Sequence, residues 1–178
     1  MLAVGRNQAA LDELKKTTGC AVFRGDLTQV GVCKEVVASA VKELGGLTTL
    51  VNNAGCLKGG AFGSDACTLE NFMFNFNGNT KTTFEMMEHA IPVLKQCGPH
   101  GGASIVNVSS VNGQMSFAGV PAYCISKAAV DMMTRCASLD LAPFGIRVNS
   151  VNPGVVITNF QKAGGMSDDA YDQVNIHS

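Results

Sequence analysis

A tyrosine and a lysine stand four residues apart, at Tyr123 and Lys127, in a stretch whose apolar spacing predicts a helix. Side chains four residues apart share one face of a helix, so a phenol and an ammonium would lie side by side. Moving a tyrosine pKa from about 10 to near 7 requires about 4 kcal/mol. One cation about 4 Å away supplies that amount at an effective dielectric constant near 20. The pair therefore indicates a tyrosine acid or base tuned by lysine; a boundary tyrosine beside a solvated lysine is the alternative.

Two further groups upstream could take part in the same chemistry. Ser110 follows the predicted strand Ile105–Val108, where its hydroxyl could polarise a substrate carbonyl or simply complete a turn. The run Asn75-Phe76-Asn77-Gly78-Asn79 places poor helix formers inside a long helical region. Glycine alone costs about 1 kcal/mol in a helix interior. A local break that frees a backbone carbonyl, able to hold a water, explains why such residues are tolerated there.

These residues sit in a chain where strand-type runs alternate with helix-period runs, which predicts βαβ crossovers and a parallel sheet covered on both faces. The predicted strands are Leu2–Val4, Cys20–Phe23, Leu47–Val51, Ile105–Val108 and Ile146–Val151, and the predicted helices are Ala9–Lys16, Val30–Leu44, Leu69–Leu94 and Tyr123–Leu141. Ligands of such sheets bind beyond the carboxyl ends of the strands. The residues there are glycine or polar: Gly5-Arg6, Gly25-Asp26, Asn52-Asn53-Ala54-Gly55, Ser109-Ser110 and Asn152-Pro153-Gly154.

Composition excludes several other classes of protein. The chain has 178 residues, the length of one domain, with a net charge of −1 and no block of Lys or Arg that would mark a nucleic-acid or acidic-lipid surface. Its longest apolar runs are too short to span a membrane. The seven cysteines include no C-x-x-C pair, and the three histidines show no metal-ligand spacing. We therefore expect no metal site, and reduced thiols in the cytoplasm, with targeting to an organelle not excluded.

The ordered combination of motifs resembles the short-chain dehydrogenase/reductase family. It consists of Asn52-Asn53-Ala54-Gly55, then Ser110, then Tyr123 and Lys127, then Asn152-Pro153-Gly154. The segments Ser104–Ser110 and Gly145–Gly154 are similar to that family almost letter for letter. The resemblance covers essentially the whole chain. It implies a Rossmann-like, doubly wound parallel sheet in three α/β/α layers, and hydride transfer between NAD(P)H and a small carbonyl or alcohol substrate.

Four catalytic roles follow from the resemblance. Tyr123 would be the proton donor or acceptor for the carbonyl oxygen. Lys127 would lower the pKa of Tyr123 and bind the nicotinamide ribose. Ser110 would orient the substrate oxygen. Asn77 would anchor a proton-relay water through its helix break, although Asn75 and Asn79 flank it.

The resemblance also implies the cofactor contacts. Asp26 matches the acid that contacts adenine, with Leu27 beside it. An acid after the second strand of the fold would favour NAD. Gly5-Arg6 stands at that place without an acid, which favours a ribose 2′-phosphate and therefore NADP, with NAD not excluded; a solvated loop arginine is the alternative. The remaining implied contacts are Asn53, Ala54 and Gly55 around the adenosine ribose and nicotinamide, and Pro153, Gly154, Val156 and Thr158 at the nicotinamide half.

The family's glycine-rich phosphate loop has no counterpart in the chain, because no two glycines are spaced two apart. Residues 1–178 are thus expected to form a single partial domain that lacks the first strand, the phosphate loop and the last strand. The first strand is central in this fold. Without it, Leu2–Val4 and Leu47–Val51 would either pair directly or leave a gap across the sheet.

Two functions of different class stay open at this point. One is an NADP-dependent oxidoreductase. The other is a catalytically inactive short form that acts at most as an interaction module. In the resembled family, the helices matching Leu69–Leu94 and Tyr123–Leu141 build a subunit interface, which implies a homodimer or homotetramer. The pairs Met86-Met87 and Met132-Met133 could serve in that interface or belong to the core. The stretch after Thr158 resembles the start of a substrate-binding segment.

Overall fold

The computed structural model of the chain describes residues 1–97, 102–156, 158 and 160. Its strands are β1 (Leu2–Gly5), β2 (Ala21–Arg24), β3 (Thr49–Asn52), β4 (Ser104–Val108) and β5 (Arg147–Val151). Its α-helices are α1 (Gln8–Thr18), α2 (Val32–Leu44), α3 (Leu69–Phe76), α4 (Thr82–Cys97) and α5 (Pro121–Leu141). A π-helical turn (Asn77–Lys81) joins α3 to α4, and short 3₁₀ turns occupy Val111–Gly113 and Ala142–Phe144. The alternating order is that predicted from the sequence.

All strand pairs are parallel, and they form two sheets. β1 pairs with β2, with Leu2 opposite Ala21, while β4 lies between β3 and β5, with Ile105 opposite both Leu50 and Val148. Within the described residues β1 and β3 do not pair with each other. Of the two arrangements expected for these strands, the structure therefore has the gap.

Local sequence signals explain where the first helices begin and end. The Asn7 side chain accepts a hydrogen bond from the Ala10 N–H and so caps the start of α1. Gly19 ends α1 and Gly45 ends α2, each at a positive φ (70° and 74°) that only glycine adopts without strain. The predicted long helix from Leu69 is split into α3, the π turn and α4.

The core lies on one face of the three-stranded sheet. Leu50, Ile105 and Val148 form a buried row across the strands. They share a cluster with residues of the covering helices, among them Val36 of α2, Met86, Met87 and Leu94 of α4, and Leu141 of α5. On the opposite face, Val51 and Val151 remain 56% and 49% exposed in the described part of the chain. Helices thus cover one face of this sheet, while α1 packs against β1 and β2.

The inward face of α5 is polar. Ser126, Lys127, Asp131 and Thr134 are all buried on this helix, which is 21 residues long. Among the described residues, neither α5 nor any other helix has the length and apolar character needed to cross a membrane. A helix that buries a lysine and an aspartate needs polar partners inside the protein, and those partners define the site described next.

Candidate active site

Ser110, Tyr123 and Lys127 form one buried cluster. Their exposed fractions are 7%, 6% and 4%. Pro121 occupies the first turn of α5, where the backbone N–H that proline lacks would have no partner within the helix. The helix therefore begins just before Tyr123, and Lys127 follows one turn later. Ser110 stands between β4 and a 3₁₀ turn, and its hydroxyl accepts a hydrogen bond of 3.2 Å from the Asn112 N–H. A hydrogen bond between the side chains of Ser110 and Tyr123 lowers the pKa of the phenol.

The pKa of Tyr123 is raised above its usual value. Burial of the phenol is the main cause, the hydrogen bond with Ser110 opposes it, and the Cys124 and Cys56 thiols add to it. This direction is opposite to the lowering predicted from the spacing of Tyr123 and Lys127. The sequence-based estimate omitted the desolvation of the phenol. The Lys127 Nζ lies 5.8 Å from the centre of the Tyr123 ring.

Lys127 is itself desolvated. Burial lowers the pKa of its ammonium to about 8, while Cys56 and Asp131 oppose that shift. Its Nζ donates a hydrogen bond of 2.9 Å to the Val108 carbonyl at the end of β4. The lysine is therefore held against the sheet, and it loses its charge at a lower pH than a solvated lysine does.

A second set of polar residues joins this cluster to the ends of the strands. The sequence had given no role in the site to two of them, Asn152 and Asp131. The Asn152 Nδ2 donates to both Asp131 carboxylate oxygens, at 2.9 and 3.0 Å, and to the Ser110 carbonyl at 3.0 Å. The Val111 N–H donates to the Pro153 carbonyl at 3.0 Å. The residues after β5 thus fix the positions of Ser110 and α5 relative to each other. The sequence signal for this contact was the Asn-Pro-Gly motif itself.

The predicted helix break is present as the π turn, but it brings Asn79 to the cluster. The Asn79 side chain is 1% exposed. Its amide accepts from the Cys56 N–H at 2.8 Å and donates to the Cys56 carbonyl and the Ser126 Oγ, each at 2.9 Å. A Cβ on Gly55 would lie 2.9 Å from the Asn79 Oδ1 and 3.6 Å from the Lys127 Nζ. Only a glycine fits between these two side chains.

Asn77, for which the family resemblance implies the relay role, occupies a different place. It is half-buried and lines a cleft beside Gly55. Its carbonyl accepts a hydrogen bond from the Thr82 N–H, which completes the π turn. The carbonyls of Gly78 and Asn79 accept from the hydroxyls of Thr82 and Thr83, at 2.9 and 2.7 Å. Threonine hydroxyls therefore bond the two carbonyls that follow Asn77.

The cleft has a volume of about 360 Å³ and lies at the carboxyl ends of β1 and β2. Five predicted cofactor residues line it: Arg6, Asp26, Leu27, Ala54 and Gly55. The Arg6 Nη1 lies 4.0 Å from the Asp26 Oδ2, and the two side chains are 79% and 38% exposed. The structure thus brings this set together at one edge of the molecule.

The chemistry of this cleft fits the adenosine part of a dinucleotide. Hydrogen bonds from the Thr28 backbone and hydroxyl hold the pKa of Asp26 below its usual value, burial opposes this, and Arg6 adds a smaller lowering. The carboxylate is therefore ionised and can accept from an adenine or ribose donor. Arg6 offers an exposed guanidinium for an anionic group. Gly25 adds no side chain, since a Cβ there would meet Phe23 and Val32 at 2.8 and 2.9 Å.

The other predicted contacts are spread along the edge of the site. Asn53, Gly154 and Val156 are exposed, and Pro153 touches the Ser110 region through Val111. The Thr158 Oγ1 accepts a hydrogen bond of 3.2 Å from the Phe160 N–H. The Phe160 ring lies 6.2 Å from the Tyr123 ring. The rest of the predicted substrate segment, after residue 160, lies outside the described residues.

A parallel α/β fold with Ser110, Tyr123 and Lys127 in one buried cluster is the arrangement that the motif resemblance implied. Comparison with known proteins identifies the family. The family model described as short chain dehydrogenase matches residues 1–167. The chain belongs to that family, as its motifs implied.

Individual relatives are similar over most of the chain. It is 37% identical over 143 residues to the 2,5-dichloro-2,5-cyclohexadiene-1,4-diol dehydrogenase LinX of Sphingobium indicum, covering 80% of this chain. It is 35% identical over 160 residues to the L-xylulose reductase of Mesocricetus auratus, covering 89% of this chain. A crystal structure of a Caenorhabditis elegans short-chain dehydrogenase/reductase of unknown function, with cofactor, superimposes on 97% of the chain with a TM-score of 0.86 and 32% identity.

The chain spans only part of these proteins. It covers 55% of the Sphingobium indicum dehydrogenase, 62% of the Mesocricetus auratus reductase and 66% of the Caenorhabditis elegans protein.

Proposed function

We propose that the chain is the catalytic part of an NADP-dependent oxidoreductase that interconverts a small carbonyl compound and its alcohol. The observation that carries this proposal is the buried cluster in which Ser110 is hydrogen-bonded to Tyr123, with Lys127 one helical turn away. A phenol, a hydroxyl and an ammonium in one desolvated place can protonate and polarise a carbonyl oxygen together. The dehydrogenase and reductase names of the relatives support the same reaction class.

Each member of the cluster has a distinct task in this proposal. Tyr123 transfers the proton to or from the substrate oxygen, and Ser110 hydrogen-bonds that oxygen. Burial keeps the pKa of Tyr123 high, so the phenol carries its proton at neutral pH. The resting site is thus prepared to donate a proton, as carbonyl reduction requires. Lys127 supplies positive charge beside the phenol and binds the nicotinamide ribose. Asn79 takes the place assigned to Asn77, because its side chain joins the cluster directly.

The cofactor would lie across the two sheets. Arg6 would bind the 2′-phosphate that distinguishes NADP from NAD, and Asp26 and Leu27 would contact the adenine. Asn53, Ala54 and Gly55 would border the riboses, and Pro153, Gly154, Val156 and Thr158 the nicotinamide half. When bound, the nicotinamide supplies or accepts the hydride. The seven cysteines of the sequence include no C-x-x-C pair, which supports a reducing compartment such as the cytoplasm.

The experiment that tests this function is a titration of the purified chain with NADPH and with NADH. Nicotinamide fluorescence and melting temperature report binding. We expect both signals to respond to NADPH more strongly than to NADH, and we expect adenosine 2′,5′-bisphosphate to displace NADPH because it occupies the Arg6 cleft. No response to either dinucleotide at millimolar concentration would refute the oxidoreductase proposal for this chain.

A second candidate, an interaction module, is favoured by one feature of the surface. Phe84 of α4, and Ile125, Met132 and Leu139 of α5, are 59%, 45%, 53% and 77% exposed. Met86 and Met87 instead belong to the core, and Met133 packs against it. Sedimentation velocity tests this candidate. Self-association that Met132→Glu and Leu139→Glu abolish, in a chain that binds no dinucleotide, would favour it over the enzyme; a monomer at all concentrations would exclude association through these helices.

A further inference from the structure

Three asparagines occupy one face of α3 and the π turn at intervals of four residues. Asn71, Asn75 and Asn79 are 2%, 0% and 1% exposed. Residues four apart on a helix point in the same direction, so the three amides form a row. Burying a carboxamide is costly unless its donor and acceptor are both satisfied. Three of them in one row therefore call for a matching set of partners.

Each asparagine bonds at least one backbone group of residues 56–59, the segment that follows Gly55, and Asn71 also donates to the Ala66 carbonyl at 2.8 Å. Asn79 accepts from the Cys56 N–H and donates to the Cys56 carbonyl. Asn75 does the same with Lys58, at 3.1 Å for the N–H and 3.0 Å for the carbonyl. Asn71 donates to the Gly59 carbonyl at 2.6 Å. The Asn75 Nδ2 also donates to the Asn71 Oδ1 at 2.8 Å, which links the two amides.

This pattern is similar to the hydrogen bonding between two strands. In a β-ladder, alternate residues of an extended segment present both N–H and C=O to the neighbouring strand. Cys56 and Lys58 do so here, two residues apart, but their partners are asparagine side chains. We call Asn71, Asn75 and Asn79 the amide ladder. It gives residues 56–59 the fixed position of a strand although they lie in a loop.

The amide ladder reaches the catalytic cluster at one end. Asn79 donates to the Ser126 Oγ, which in turn donates to the Tyr123 carbonyl at 2.7 Å. Gly55 lies between Asn79 and the Lys127 Nζ. The position of Gly55 and Cys56 therefore determines how tightly Lys127 is packed away from water.

We propose that Asn75, together with Asn71, is a positioning residue for the active site. The two hold residues 56–59 against α3, so that Gly55 and Cys56 stay packed against Lys127 and Asn79. That the site so positioned is an active site rests on the proposed function. The effects on the loop and on Lys127 do not, so the two proposals fail separately.

The test compares Asn75→Ala and Asn75→Asp with Thr134→Val. Asn75→Asp keeps the shape of the side chain but removes the donor to the Lys58 carbonyl. Thr134 is a matched control, because it is buried and its hydroxyl bonds Asn107 of β4 and Val130 of α5. Backbone amide exchange of residues 56–60 and alkylation of Cys56 are followed by mass spectrometry, with the buried Cys33 as internal reference.

We expect both Asn75 variants to accelerate exchange at Cys56 and Lys58 by roughly tenfold or more, and to speed alkylation of Cys56 relative to Cys33. Water admitted beside Lys127 should also move its titration, followed by NMR of isotope-labelled lysine, to higher pH. Thr134→Val should change none of these. The proposal is overturned if the Asn75 variants match Thr134→Val in loop exchange, or if exchange rises throughout the chain without a shift in the Lys127 titration.

Discussion

The two sheets of the molecule carry their polar residues in different ways. After β4 and on α5, Ser110, Tyr123 and Lys127 are each less than a tenth exposed and are bound into a hydrogen-bond network. After β1 and β2, Arg6 is 79% exposed and meets Asp26 at 4.0 Å across open surface. The fold itself assembles the part of the site that we propose transfers the proton. In the part that we assign to cofactor recognition, the side chains are exposed, and a bound cofactor would have to order them.

This difference sets the size of the effects expected from substitution. Groups in a buried network interact strongly, and removing one leaves others unsatisfied. An exposed ion pair contributes about 0–1 kcal/mol and is screened by salt. Variants of the buried cluster should therefore change the rate by orders of magnitude, and variants of the exposed pair should change selectivity modestly.

The largest effect in this comparison is expected from Lys127→Met. The variant keeps an unbranched side chain, one atom shorter, but removes the charge beside Tyr123. Turnover of the protein with NADPH and a carbonyl substrate should fall by about 10²–10⁴-fold, the range of general acid–base contributions. Lys81→Met is the matched control, because Lys81 forms a partly exposed ion pair with Glu85 at 3.0 Å. Equal losses in the two variants would contradict the difference between the buried and exposed regions.

Lys127 also predicts an unusual dependence of stability on pH. Its folded pKa is about 8, against 10.5 for the free side chain, so between these values the unfolded chain binds more protons than the folded one. The free energy of unfolding contributed by this group therefore rises from pH 8 toward pH 10.5, by at most about 3 kcal/mol. Urea titrations of the wild type and Lys127→Met at pH 7.5, 8.5 and 9.5 give this contribution as a difference.

That difference is needed because another buried group acts in the opposite direction. Burial, and then Glu85, raise the pKa of Cys33 to about 11, which lowers stability as the pH rises above 9. Cys33 is present in both chains, so its contribution cancels. If the difference in the free energy of unfolding between the wild type and Lys127→Met stays constant across this pH range, Lys127 is not desolvated as described.

A smaller effect is expected at the exposed pair. Arg6→Ala should weaken NADPH binding by about tenfold, the value of one partly solvated charge-assisted hydrogen bond, and leave NADH binding unchanged. Arg135→Ala on α5 is the control, since Arg135 lies far from the cleft in sequence and is exposed. Fluorescence titrations at two salt concentrations measure both. A similar loss for NADPH and NADH would mean that Arg6 does not read the 2′-phosphate.

Much of the fold could be predicted because its signals are local. The alternation of elements, the glycines that end α1 and α2, and the break in the helix after Leu69 all follow from residue types within a few positions. Ser110, Tyr123 and Lys127 were predicted as one site, and the structure brings them together. Motif order along the chain was sufficient for this.

What could not be predicted depends on burial and on contacts distant in sequence. Residues 75–79, where the helix is interrupted, include three asparagines. Only their packing distinguishes Asn79, which bonds Ser126 and Cys56, from Asn77, which lines the cleft. The rise in the Tyr123 pKa was not predicted, because the spacing of Tyr123 and Lys127 carries no information on how deeply the phenol is buried. The choice between pairing and a gap for β1 and β3 needed the three-dimensional arrangement of α2 and α4 around them.

The central claim is that Tyr123 in the buried cluster transfers the proton, separately from cofactor binding in the exposed cleft. The direct test is Tyr123→Phe in the longest native form of the protein, with turnover and NADPH affinity measured on one preparation. We predict that turnover falls by at least about 10²-fold, while the dissociation constant for NADPH changes by less than about threefold. Unchanged turnover would contradict the account, because the phenol would then have no part in the reaction.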